Sequence, residues 1–151
     1  MSGGVTRPRA VLLGAAALAL AAFALPSSAS ASFDPEFSVL SKDVRFHEIP
    51  NGFVGRTVLL NPANQANQVG HGKVRCVLIE RSDKARCRAL YHFDGSIGGF
   101  GDLLVKGNVL RGDHTLNVVD GSGDFSGAIT GKAFIHNLAR SKNQIDFHLT
   151  R

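Results

Sequence analysis

Apolar and polar residues alternate one for one along much of this chain. The clearest stretch is Ile145-Asp146-Phe147-His148-Leu149-Thr150, which presents apolar side chains on one face only. That period of two is what a β-strand with a single buried face demands. The segments Lys73 to Glu80 and Arg86 to Phe93 are also extended, joined by Arg81 to Ala85. Val54 to Leu60, Leu103 to Leu110, Thr115 to Val119 and Lys132 to His136 read the same way. Val44 to Ile49 is a weaker strand, ended by Pro50-Asn51-Gly52. In the part after residue 31 no segment carries an apolar stripe at helical spacing with a cap. Short strands punctuated by Gly, Asn and Asp turns predict an all-β sandwich or barrel.

The first thirty residues follow a different pattern. Arg7 and Arg9 are their only charges, and Ala10 to Leu25 then runs for 16 residues without a polar side chain. Pro26-Ser27-Ser28 breaks the run, and Ala29-Ser30-Ala31 supplies small residues where a signal peptidase reads them. A basic start, an apolar centre and an A-x-A end predict a cleaved secretory signal over 1–31, leaving one domain over 32–151. The apolar run is shorter than the roughly 20 residues a helix needs to cross a bilayer. No cysteine stands at the cleavage point to take a lipid, so no stable membrane anchor is expected after cleavage. The expected location is secreted, extracellular.

The whole chain has 17 basic and 12 acidic residues. The leader holds two of the basic and none of the acidic, so the domain keeps 15 against 12, an excess of three. With no Lys/Arg run, one tyrosine and no tryptophan, a nucleic-acid partner is not expected. The chain's two cysteines, Cys76 and Cys87, both lie in the exported part. An even count in an oxidising compartment favours a disulfide over a metal site or a catalytic thiol.

The bridge fixes a hairpin register. If Cys76 faces Cys87, then Val74 faces Ala89 and Glu80 faces Asp83 around Arg81-Ser82. Val74, Cys76, Leu78, Cys87, Ala89, Tyr91 and Phe93 then share one face. Arg75, Val77, Ile79, Arg86, Arg88, Leu90 and His92 share the other. The first set is the more apolar and is expected to face inward, with the arginines in solvent.

Several motifs fail on their own requirements. Gly121-Ser-Gly123-Asp-Phe-Ser-Gly127 nearly matches a dinucleotide fingerprint, but a strand follows where the pyrophosphate needs a helix N-terminus. Asp120-Gly-Ser122-Gly-Asp124 begins like a calcium loop, yet Gly131 stands where that loop needs glutamate. A hairpin turn is the expected use of these glycines. Gly95 to Gly101 reads as a turn and a bulge. The six histidines, His47, His71, His92, His114, His136 and His148, show no paired metal-ligand spacing, so neither a metal nor a cofactor is expected. No G-x-S-x-G elbow is present, and catalytic residues stay unassigned.

What remains is an inward polar set. Tyr91 falls on the apolar face, where its hydroxyl needs a partner. Glu48 lies in register with Val44 and Phe46 and is expected to face inward near a barrel end, where burial raises a carboxyl's pKa. Tyr91, Glu48, Phe93 and Phe46 are thus the candidate ligand-binding residues.

Val118-Val-Asp120-Gly-Ser-Gly-Asp124-Phe125-Ser-Gly127-Ala128 resembles the V-x-G-G-T-G-x-[FY]-x-G-A-x-G hairpin of the allene oxide cyclase-like barrels, which include the plant dirigent proteins. Upstream, Val69-Gly70, Cys76, Cys87 and His92-Phe-Asp-Gly95-Ser-Ile follow the landmark order of small secreted bacterial members. Asp120 replaces a glycine, Ser122 a threonine, and the closing glycine falls at 131 rather than 130. The resemblance implies an antiparallel eight-stranded, calycin-like barrel with a central apolar cavity, assembled as a trimer and working without a cofactor. Barrels of eight strands hold one small ligand. Three functions stay open: a secreted binder of a small hydrophobic molecule, a cofactor-free cyclase or dirigent-type enzyme, and a non-catalytic structural module.

Overall fold

The computed structural model describes residues 33–127 and 130–151; the expected signal peptide lies outside them. The chain forms β1 (Glu36–Ile49), β2 (Gly52–Leu60), β3 (Gln68–Leu78), β4 (Ala85–Asp94), β5 (Phe100–Val109), β6 (His114–Gly121), β7 (Thr130–Ala139) and β8 (Lys142–Thr150). A single 3₁₀ turn, Gly123–Phe125, lies between β6 and β7. Each strand pairs antiparallel with the next, and β1 pairs with β8 from Glu36 opposite His148 to Lys42 opposite Lys142. The sheet therefore closes into an eight-stranded barrel with no free edge.

The alternation of the sequence becomes the two surfaces of this wall. Ile145, Phe147 and Leu149 are buried while His148 and Thr150 are exposed. Cys76 opposes Cys87 and is disulfide-bonded to it, and Val74 opposes Ala89. Cys87, Ala89, Tyr91 and Phe93 point inward, and Arg86 and Arg88 point out. Arg81 takes a left-handed φ of 58° at the tip of that hairpin, where Ile79 N–H donates to the Lys84 carbonyl. The glycine-rich segment is a turn, with Gly123 at φ 64°.

The first strand is longer than Val44 to Ile49. It begins at Glu36, with Phe37, Val39 and Ser41 buried. The register then shifts between Asp43 and Arg45, leaving Val44 as an unpaired bulge residue. A bulge adds one residue to a strand and so reverses which parity faces the core. Before it Ser41 and Asp43 look inward; after it Phe46 does.

One end of the barrel is plugged by aromatic rings. Phe37 stacks on Phe147 at 4.9 Å between centroids, and Phe93 meets Phe37, Phe125 and Phe147 edge-on at 5.3–5.6 Å. Phe125 is supplied by the 3₁₀ turn and is completely buried. Among the described residues no helix is long and apolar enough to cross a membrane, and the disulfide fits an oxidising compartment.

Candidate functional site

Packing is incomplete above the aromatic plug. A cavity of about 200 Å³ remains in the other half of the barrel. It opens toward the end where the β1–β2 and β5–β6 connections lie, because Phe46, Phe53, Val109 and His114 line its mouth. Phe46 and Phe53 face each other there at 4.9 Å between ring centroids. The disulfide forms part of the wall.

The polar groups of the cavity arise from one row across four strands. Asp43 on β1 opposes Thr57 on β2, Thr57 opposes Gly72 on β3, and Gly72 opposes Tyr91 on β4. Strands lie about 4.8 Å apart, so these four positions form one inward-facing line. Gly72 is what lets the row close. A Cβ there would stand 2.7 Å from the Tyr91 ring and 2.8 Å from Thr57 Oγ1. The missing side chain gives its space to the tyrosine.

Thr57 is 4% exposed, and among the described residues no protein group hydrogen-bonds its hydroxyl. A buried hydroxyl without a partner costs about 1–3 kcal/mol. Tyr91 is equally buried. Burial first, and the negative charge of Asp43 second, push its phenol well above the ordinary tyrosine range. The phenol is therefore a permanent O–H donor at any physiological pH. Asp43 stands at the mouth, within reach of water, and its partial burial raises its carboxyl above the ordinary 3.8.

The raised value has a sign that titration can read. In the folded state Asp43 holds its proton to higher pH than in the unfolded chain. Its contribution to stability is therefore greatest below about pH 3.8 and declines as pH climbs through the raised value. Relative to the wild type, Asp43→Asn is expected to gain stability as pH rises through that window, measured by urea unfolding at a series of pH values. A constant difference between the two proteins across the series would contradict this.

Of the residues singled out from sequence, Tyr91 lies in the cavity wall and Phe46 at its mouth, 54% exposed. Phe93 is fully buried in the aromatic plug below the cavity, and Glu48 is exposed and outside the lining. Glu48 pairs with Phe53 near the tip of the hairpin, beyond the rim, so water solvates it. The acid that lines the cavity is Asp43 instead. Sequence reasoning misses Asp43, Thr57, Ser41, His114 and Asn143, all of which line the cavity. Asp43 does carry a signal, since Phe37, Val39, Ser41 and Asp43 continue one alternation. Thr57 does not: within Val54 to Leu60 the valines are more apolar, yet the threonine is inside.

A second cluster lies on the outer wall. Asp102 Oδ1 is 2.7 Å from His92 Nδ1, and the Ser122 hydroxyl donates to Asp102 Oδ2 at 3.1 Å. The carboxylate sits between the other two, so the imidazole does not touch the hydroxyl. That order cannot activate a serine nucleophile. Among the described residues no three His, Cys, Asp or Glu side chains converge as a metal site would require.

The fold and cavity define a closed antiparallel eight-stranded barrel with an interior pocket. No protein-family profile and no curated protein matches the chain. Solved structures do. A pyocyanin demethylase superposes with a TM-score of 0.62 at 14% identity, covering 76% of this chain and 99% of that one. A pterocarpan synthase dirigent protein superposes with a TM-score of 0.63 at 13% identity, covering 76% of this chain and 85% of that one. The chain has the dirigent-like barrel fold.

Proposed function

We propose that the barrel binds a small, mostly apolar molecule carrying one hydrogen-bonding oxygen, outside the cytosol. The observation that carries this reading is the unpartnered Thr57 hydroxyl, buried beside Tyr91 in an otherwise apolar cavity. Natural cores rarely keep an orphaned hydroxyl, so a partner from outside the chain is its simplest explanation. At about 200 Å³ the space is below the roughly 300–1,000 Å³ of drug-sized pockets. The occupant is small, or it projects between Phe46 and Phe53. Two barrels of the same fold are, by name, a demethylase of pyocyanin and a synthase of pterocarpan, which supports small-molecule chemistry in such a cavity.

A catalytic version of this reading is favoured by one observation, the placement of Asp43 and Tyr91 in a single inward-facing row of the cavity wall. A protonated phenol could donate to an oxygen on a bound intermediate while the carboxylate accepts a proton near the mouth. The cavity walls would supply the shape that directs cyclisation or coupling.

Native mass spectrometry of the exported protein tests the binding reading. The wild type is expected to carry a small organic molecule. Thr57→Val keeps the shape but removes the hydroxyl. It is expected to be more stable by about 1 kcal/mol and to lose roughly tenfold in affinity for that molecule. A wild-type barrel that emerges empty, or a Thr57→Val variant that retains ligand equally well, would sink the proposal.

A further inference from the structure

The outer face of β1 to β5 carries a surface that the net charge conceals. Arg45, Arg56 and Lys73 oppose one another in one row across β1, β2 and β3. Arg75, Arg88 and Lys106 form a second row across β3, β4 and β5. Arg86 lies one step beyond, opposite Val77, and His47 borders the first row. These seven Lys and Arg side chains are all exposed. Two shallow grooves, about 540 and 570 Å³, run between them and share Arg75 and Arg88.

Directly opposed like charges destabilise a sheet, and this wall holds two such rows. Among the described residues every ion pair within 4 Å has a histidine as its cation, and none includes a member of either row. Asp102, paired with His92, sits at the edge of this wall near Lys73, whereas Asp113, Asp146 and Glu36 pair with His136 and His148. The two rows therefore concentrate unpaired positive charge on the wall of β1 to β5.

Aliphatic side chains are interleaved with the cations. Leu90 is 43% exposed between the rows, Val77 38% beside Arg86, and Leu78 57% at the mouth edge of the same wall. Val44, made prominent by the bulge, adds 58% at the β1 border.

We infer that this wall docks on a bilayer surface containing anionic phospholipids. Cations would meet the lipid phosphates, and Leu78, Leu90 and Val44 would reach the acyl boundary. Three features choose this occupant. Among the described residues lining the two grooves His47 is the single aromatic ring, which leaves no row of rings on which successive bases of a single-stranded nucleic acid could stack. A second copy cannot present the same wall to itself without placing arginine against arginine. Exposed aliphatics among arginines suit an interface that is both anionic and apolar. The inference is independent of the cavity reading, although docking would set the mouth, rimmed by Phe46 and Phe53, beside the lipid.

Sedimentation of the full chain with vesicles tests it, using phosphatidylcholine alone and an equal mixture with phosphatidylglycerol. Binding to the mixed vesicles is expected, with little to the neutral ones and release by salt. The variant R75Q/R88Q/K106Q is expected to lose roughly a hundredfold in partition coefficient, at about fivefold per cation removed. R75K/R88K should retain binding. Should the triple variant fail to fold, Arg88→Gln alone gives a readable loss of about fivefold. Equal binding to both vesicle types, an undiminished triple variant, or tighter binding to duplex DNA or to a polyuronate would overturn the inference. No cavity ligand is added, so a failure here leaves the binding reading untouched.

Discussion

Phe147→Ala is expected to destabilise the barrel by about 3–5 kcal/mol, the range for truncating a fully buried phenylalanine. Phe147 is 0% exposed and sits at the centre of the plug. It stacks on Phe37 at 4.9 Å and meets Phe93 and Tyr91 edge-on at 5.6 and 5.8 Å. Each such aromatic pair adds roughly 0.5–1.5 kcal/mol beyond the area it buries. The walls of a closed barrel are held by backbone ladders on both sides, so they relax little into the space left behind. Urea unfolding should show the loss as a lower midpoint at constant slope. The same change removes the floor under Tyr91 and extends the cavity downward, so a larger apolar ligand should then fit. A loss under about 1 kcal/mol would mean that the plug repacks and is not the rigid base of the site.

The sequence and the folded protein agree best where two constraints act on one segment. In β3 and β4 the alternation supplies a face and the cysteines supply a register. Together they place Tyr91 inside and the arginines of the same hairpin outside. In β1 only alternation is available, and the bulge at Val44 breaks it. Alternation puts Glu48 on the face of Phe46, but it carries no mark of where the barrel ends, and Glu48 lies beyond the rim. Thr57 illustrates a different limit. Its burial is a property of the neighbouring row, where Gly72 makes room for Tyr91, and no feature of Val54 to Leu60 encodes that.

The basic wall is also hidden in one dimension. An excess of three positive charges over residues 32–151 suggests a mildly basic surface, and no run of Lys or Arg appears. Yet period two sends Arg86 and Arg88, or Lys73 and Arg75, to the same side, and pairing then sets those strands next to each other. Charge that is dilute along the chain becomes concentrated across the sheet. The cavity and the wall thus lie on opposite faces of the same strands: Tyr91 looks in where Leu90 and Arg88 look out.

Removing the disulfide is the change with the second largest expected effect. Cys76 and Cys87 are 11 residues apart, directly opposed at a Cα separation of 4.1 Å. Closing a loop of that size is worth just under ~3 kcal/mol in the chain-entropy model. The double variant C76A/C87A is therefore expected to unfold about 2–3 kcal/mol more easily, with its far-ultraviolet spectrum unchanged. The register itself should survive. Val74, Ala89, Tyr91 and Phe93 still belong indoors, and a slip by one residue would turn every one of them outward. Reductant should lower the stability of the wild type by a similar amount and leave the double variant unmoved. Because both cysteines also line the cavity, the variant separates two roles of the bridge. If ligand capture persists while stability falls, the disulfide acts as a staple on a wall that alternation has already built. If capture is lost with the fold intact, the bridge holds the upper barrel at the width the ligand needs. A stability loss well below about 1 kcal/mol would instead show that the hairpin persists in the unfolded chain, where the bridge then has little entropy left to remove.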